Sequence, residues 1–206
     1  ANKMCIFLTV KNVIIIILFL AVLSLAGEFK KSREDFYTES AVFETDSGSF
    51  TLTFFKKSAP EHVKNFKDLV SSGYYEDKSF HRIVPGFIIQ AGRDEDTPYS
   101  SIDPEIEKIH FKGALAAARM SNDINPAKRS DSYEFYISLK PQPELDGEYT
   151  VFGRVAEGFE TVKKISESAT DENDEPVNDI LIKHTYLQKF FDREKYDYYI
   201  RRSEQN

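Results

Sequence analysis

The stretch "SFHRIVPGFIIQAGR", Ser79 to Arg93, sets three polar side chains inside an apolar block. Phe80, Ile83, Val84, Phe87, Ile88 and Ile89 call for burial, while His81, Arg82 and Gln90 sit among them. A guanidinium in such surroundings is costly unless a partner or a reaction uses it. Its chemistry would be that of a fixed cation and hydrogen-bond donor, stabilising electron density that develops on a bound molecule. Other chemistries find little support. Four histidines (His62, His81, His110, His184) show no metal-ligand spacing, and the one cysteine, Cys5, lies far from them. No G-x-S-x-G, Walker loop or G-x-G-x-x-G occurs, so hydrolase and nucleotide-binding readings have no motif. We expect no metal and no cofactor. Read alone, His81 is a structural histidine and Arg82 a paired structural arginine.

The elements that must hold these residues can be read from periodicity. "AVFETDSGSFTLTFF" gives two alternating runs around Asp46-Ser47-Gly48, a hairpin. "SAPEHVKNFKDLVSSG" predicts a helix with Ser58 as N-cap, Pro60 and Glu61 in the first turn, and Gly73 at its end. "SFHRIV" and "GFIIQAG" are short strands split by Pro85-Gly86. "GALAAAR" is a closely packed strand or a short helix. "YEFYISL" alternates, with Tyr133, Phe135 and Ile137 on one face and Glu134, Tyr136 and Ser138 on the other. "TVFGRVAEG" and "ILIKHTYLQKF" are strands, "FETVKKISES" is an amphipathic helix, and "TDENDEPVND" is an acidic loop. Many short strands with two helices predict a mainly β barrel or sandwich.

Charge and the N-terminus bound location and partners. The net charge is -7, and the first 27 residues hold Lys3 and Lys11 with no acid, so the rest is more acidic still. Nucleic acid is therefore not an expected partner. "VIIIILFLAVLSLAG", Val13 to Gly27, follows those lysines and ends in Ser24-Leu25-Ala26, a small-x-small pattern. Residues 1–27 thus read as a secretory signal peptide or, if retained, an N-terminal membrane anchor. Residues 28–40 form a polar linker, 41–188 the folded domain, and 189–206 a charged aromatic tail. The expected location is periplasmic or cell-envelope.

"FHRIVPGFIIQAG" closely resembles the signature of the cyclophilins, β-barrel peptidyl-prolyl cis/trans isomerases. "FKDLVSSGYYEDKSFHRIV", "GALAAAR", "EFYISL" and "LDGEYTVFGRVAEGFETVKKI" follow in the family's order, so the resemblance spans Phe43 to Leu187. It implies a closed eight-stranded antiparallel barrel capped by two α-helices, a monomer, acting on proline-containing polypeptides. The implied chemistry suits the opening stretch. An X-Pro amide rotates slowly, against a barrier of roughly 18–20 kcal/mol, because resonance keeps it planar. Rotation localises a lone pair on the prolyl nitrogen, and a guanidinium aimed there binds the twisted amide better than the planar one.

By the resemblance, Arg82 is the catalytic arginine. Phe87, Ile88, Tyr136 and Leu145 line the proline pocket, Gln90 orients the arginine and bonds the substrate backbone, and Ala118 and Arg119 meet the substrate along an edge segment. Tyr149 stands where eukaryotic members often have His, as in many bacterial-type members. Ile88 replaces a frequent Met, and Tyr136 replaces a common Phe, which adds a hydroxyl to the pocket rim. Glu134 stands where a substrate-binding Gln is common; its carboxylate lacks the amide's donor and is placed to pair with Arg82. Glu144 occupies the position of a tryptophan that contacts cyclosporin. The expected function is isomerisation of X-Pro bonds in exported proteins. The alternative is a catalytically weak, proline-binding chaperone or scaffold, should Glu134 occupy the arginine.

Overall fold

The computed structural model describes Leu18, residues 36–94 and residues 96–203. The signal-or-anchor segment, apart from Leu18, and residues 28–35 of the linker lie outside that range. Contacts divide the chain into two units, Glu39–Lys189 and a smaller one made of Ala1–Thr38 with Phe190–Asn206.

The larger unit opens with the expected hairpin. β1 (Tyr37–Thr45) pairs antiparallel with β2 (Gly48–Phe54), Phe43 opposite Phe50. The four residues Tyr37–Ser40, read from the sequence as linker, already belong to β1. The Thr45 hydroxyl donates to Gly48 O at 2.7 Å and accepts from Ser47 N, which fixes the turn. α1 (Pro60–Ser71) follows, burying His62, Val63, Phe66 and Val70. Its start corrects the sequence reading. Ala59, not Ser58, is the N-cap residue, and it makes no side-chain cap bond; the Ser58 hydroxyl bonds Glu107 instead. The first-turn N–H groups of Glu61 and His62 donate to the two carboxylate oxygens of Glu105, at 3.1 and 3.0 Å. A carboxylate from a distant loop thus meets the donors, and the positive end of the dipole, that a local cap would meet.

Next come β3 (Arg82–Val84), β4 (Ile88–Ala91), β6 (Ala114–Ala117), β8 (Phe135–Ser138), β9 (Val151–Glu157), α2 (Phe159–Ser166) and β10 (Ile182–Phe191). β5 (Ser101–Ile102) and β7 (Ser130–Asp131) form a separate two-stranded ribbon. "GALAAAR" is therefore strand. The main sheet runs β10-β1-β2-β9-β6-β8-β4-β3. Its ends meet just before the edge strands. Ser79 and Leu181 form an antiparallel bridge, and Asp77 N and Phe80 N donate to Ile182 O and Ile180 O. The result is consistent with the expected eight-stranded antiparallel barrel carrying helices, although the ladder itself stays open between β10 and β3 and only this short bridge spans the gap.

Alternation along the strands produces two apolar clusters. Phe43, Phe50, Leu52, Ile83, Ile89, Leu115, Phe135, Ile137 and Phe152 join Val63 and Phe66 of α1 and Val162 and Ile165 of α2 in the principal core. Phe66 packs on Phe43, Phe135, Phe152 and Tyr75 with ring centroids 5.2–5.9 Å apart. Such pairs add about 0.5–1.5 kcal/mol each beyond the area they bury. The opposite side chains, Ile88, Ala114, Ala116, Ala118, Tyr136 and Val151, form a second cluster with Phe87, Leu145 and Tyr149 packed against it. Where β4 ends, Gly92 has φ +102, and a Cβ there would collide with the Tyr133 carbonyl oxygen. Only glycine allows the chain just before β8 to approach so closely.

In the smaller unit, α3 (Arg193–Ser203) makes that stretch of the charged aromatic tail helical, while residues 189–191, read from the sequence as tail, belong to β10. Asp192 accepts from Lys195 N in its first turn, and Phe36 and Phe191 pack their rings on Tyr196 at 5.2 and 5.6 Å. Among the described residues no helix is long and apolar enough to cross a membrane.

Candidate active site

The second cluster is the floor of the site. Register places Arg82 opposite Gln90, Gln90 opposite Tyr136, and Tyr136 opposite Ala116. One row of side chains therefore crosses four strands on the face turned away from the principal core. β3 and β4 are short and joined by Pro85-Gly86, with Gly86 at φ +69. That tight turn brings Phe87 beside the row, and Leu139 N donates to Phe87 O at 2.8 Å to hold it.

Arg82, Phe87, Ile88, Gln90, Ala118, Arg119, Tyr136, Leu145 and Tyr149 line one cavity of about 110 Å³. Nine of the ten site residues expected from the sequence thus converge; the tenth, Glu134, does not line it. The cavity's walls are aromatic and aliphatic apart from Arg82, Gln90 and Arg119. That combination suits an apolar ring with an amide at its edge.

The arginine differs from the expectation in two ways. Its side chain is 39% exposed, so it stands at the cavity mouth and not within the core. Its acidic partner is Asp174, with Nη2 donating to Oδ2 at 3.3 Å. Glu134 turns elsewhere. Gln90 Nε2 donates to Glu134 Oε2 at 2.6 Å, and Arg93 Nε reaches Oε1 at 3.5 Å. His81 Nε2 stands 3.4 Å from Oε2 and is not aligned as a hydrogen bond. Burial pushes the Glu134 carboxyl up, but His81, Gln90 and Arg93 together outweigh it and hold it below the ordinary carboxylate range. The Glu134–Arg82 pair anticipated from the sequence is therefore replaced by a Glu134–Gln90 contact. Asp174 was missed because "TDENDEPVND" reads only as an acidic loop, with no periodicity to show which carboxylate faces the barrel.

Tyr136 also departs from expectation. Its hydroxyl does not join the pocket rim but points into the protein, 2.8 Å from His110 Nε2. His110 Nδ1 lies 2.9 Å from Asp146 Oδ1, which also accepts His110 N at 2.6 Å. A carboxylate only accepts, so Nδ1 carries the proton, and in the neutral ring Nε2 accepts from the phenol. Burial raises the Tyr136 pKa well beyond its ordinary value, which keeps the donor protonated. The pocket floor is thereby fixed by a Tyr136–His110–Asp146 chain.

Arg119 serves as a wall support. Nε and Nη2 donate to Glu148 O and Oε2 at 2.8 and 2.9 Å, Nη1 donates to Met120 O, and the guanidinium lies 4.6 Å over the Tyr149 ring. Lys128 joins Glu148 at 2.7 Å. With each guanidinium nitrogen donating one hydrogen bond and its side chain 3% exposed, Arg119 braces Tyr149 while Arg82 faces the cavity. Among the described residues no group of His, Cys, Asp and Glu is arranged to hold a metal ion.

The geometry agrees with comparisons to known proteins. Residues 40–187 match the family described as cyclophilin type peptidyl-prolyl cis-trans isomerase/CLD. A peptidyl-prolyl cis-trans isomerase of Arabidopsis thaliana is 36% identical over 149 residues, covering 69% of this chain and 89% of the relative. A peptidyl-prolyl cis-trans isomerase-like 1 of Aspergillus fumigatus is 35% identical, covering 68% and 90%. Among solved structures, a cyclophilin type peptidyl-prolyl cis-trans isomerase of Cryptosporidium parvum superposes with TM-score 0.67 at 28% identity, over 74% of this chain and 98% of that one. The same protein crystallised in the presence of the dipeptide Ala-Pro gives TM-score 0.64 at 29% identity, over 72% and 98%. With the family matched across most of its length and relatives this similar, the chain belongs to the cyclophilin-type peptidyl-prolyl cis-trans isomerases.

Proposed function

We propose that this protein catalyses cis/trans isomerisation of X-Pro bonds, with Arg82 stabilising the twisted amide, and that its clients are exported polypeptides. The observation that carries the reading is the single row Arg82–Gln90–Tyr136–Ala116 lying along an apolar cavity. The proline ring enters between Phe87, Ile88, Tyr136 and Leu145. Its nitrogen then faces the cavity mouth, where Arg82 has Nη2 on Asp174 and keeps Nε and Nη1 for the amide. The planar amide nitrogen is a poor acceptor because its lone pair is conjugated; the twisted one is a good acceptor, so the hydrogen bond strengthens as the bond rotates. The Ala-Pro dipeptide named with the Cryptosporidium parvum relative has the same X-Pro chemistry.

The export part of the proposal rests on Val13–Gly27 and the lysines before it. The binding-only alternative rested on a carboxylate neutralising Arg82 from Glu134, and Glu134 is engaged with Gln90 and Arg93.

The test is exchange of a short Ala-Pro peptide followed by NMR line shapes, using the full chain, Arg82→Ala and Glu134→Gln. Catalysis in the parent that is lost in Arg82→Ala supports the isomerase. A parent that binds the peptide without accelerating exchange, and that gains catalysis in Glu134→Gln, would establish the binding module. Mass spectrometry of the N-terminus and fractionation of the host cell test export; a chain retained in the cytoplasm would refute it.

A further inference from the structure

We infer that Asp174 is the positioning residue of Arg82, the part that the family resemblance assigns to Gln90. The inference rests on the isomerase reading. Gln90 lies directly opposite Arg82 across β3 and β4, where it would be expected to hold the guanidinium. Its Nε2 donates to Glu134 at 2.6 Å, and its Oε1, the atom that could accept from the guanidinium, makes no hydrogen bond to Arg82, whose side chain bonds Asp174. Asp174 supplies the contact that remains, 3.3 Å from Nη2.

The loop that carries Asp174 is built to hold it there. The Asp171 carboxylate accepts Asn173 N at 2.8 Å and Glu175 N at 3.0 Å, and Asp171 N donates to Glu175 O at 2.8 Å. Thr170 and Pro176 bridge across the base of the turn. Asp174 itself takes φ +66, a conformation that Asp and Asn adopt more readily than most residues. Its carbonyl accepts Ile83 N at 2.8 Å, which docks the loop on the edge of β3 one residue from the arginine. One residue therefore grips the strand with its backbone and the arginine with its side chain.

An arginine side chain has many rotamers, and fixing one in the ground state removes an entropy cost from the transition state. The pair engages a single donor and leaves the others for substrate. Arg82 and Asp174 are 39% and 40% exposed, which limits the effect to about fivefold in rate.

The experiment measures Ala-Pro exchange on the full chain, on three single variants and on one double variant. Asp174→Gly removes the carboxylate without straining the positive φ, and Asp174→Asn keeps a neutral acceptor in a residue tolerant of that φ. We expect kcat and kcat/KM to fall together by about threefold to fivefold in Asp174→Gly, with KM held, and by less in Asp174→Asn. The third variant is Arg82→Lys, in which Asp174→Gly should cost nothing further, because the two residues act as one unit. An unchanged or faster reaction in Asp174→Gly overturns the inference, as does a full additional loss on the Arg82→Lys background, which would mean a merely structural loop. The Arg82 Nε–H resonance separates this failure from failure of the isomerase reading. It should broaden or shift in Asp174→Gly whether or not the parent catalyses, and an unperturbed resonance means Asp174 does not hold the arginine.

Discussion

Tyr136→Phe replaces this chain's residue with the one common in the family, so the resemblance alone predicts a neutral or stabilising change. The structure predicts the opposite. The phenol and His110 are 3% and 2% exposed, and their hydrogen bond measures 2.8 Å. Removing the hydroxyl strands His110 Nε2 where solvent does not reach. An intramolecular hydrogen bond typically nets about 0.5–1.5 kcal/mol, but a buried partner left unpaired costs about 1–3 kcal/mol. Relief of the phenol's own burial is a smaller opposing effect, because the hydroxyl is already hydrogen-bonded. The net expectation is a loss of about 2 kcal/mol, which for a domain of this size lowers Tm by roughly 4–8 °C. Thermal unfolding by circular dichroism, with urea midpoints as a second measure, is the assay. A Tm equal to or above that of the parent would refute the reasoning, since it would mean that His110 finds another partner at no cost. The Asp146 side of the chain gives an independent check. Asp146→Asn retains the oxygen that accepts from Nδ1 and should cost less than Asp146→Ala.

Other consequences follow from the corrected contacts. Glu105→Ala removes the carboxylate that receives two first-turn N–H groups and the His62 ring, so it should cost at least about 1–2 kcal/mol in urea unfolding, whereas Ser58→Ala should be nearly silent. Equal effects would restore Ser58 as the cap. Glu134, held below its ordinary value of 4.5, stabilises the fold at higher pH and loses that contribution as pH falls below 4.5 through its lowered folded value. Glu134→Gln should therefore flatten the fall in urea midpoint across that acid range, and an unchanged slope would remove Glu134 from the acid response. Glu144, exposed in the short turn at Pro143–Leu145, offers neither an apolar indole face nor an N–H donor to cyclosporin. Inhibition titration should show weak binding, and tight stoichiometric inhibition would contradict that.

What the sequence makes legible, and what it hides, divides along a physical line. Alternation determines the face on which a strand residue lies, so "YEFYISL" already separates Phe135 and Ile137 from Tyr136, and the two clusters keep that separation. The signature block, the strands β6 and β8 and the turn segment 145–149 then put the pocket residues on one face, and the cavity contains nine of the ten expected. Face is a local property, carried by successive Cα–Cβ bonds. Choice of polar partner is not. Arg82 and Asp174 are 92 residues apart, Gln90 and Glu134 44, His62 and Glu105 43. Each such pair depends on how a loop closes, and several carboxylates in "TDENDEP" compete for the arginine with similar chemistry and no periodic signal. Glu134's place in the family motif makes it a candidate partner of Arg82, but the donors nearest to it after folding are Gln90 and Arg93, and Arg82 meets Asp174. A strand reading can therefore be trusted to place an arginine on a face, but the residue that aims it must be sought in the loop that covers its edge.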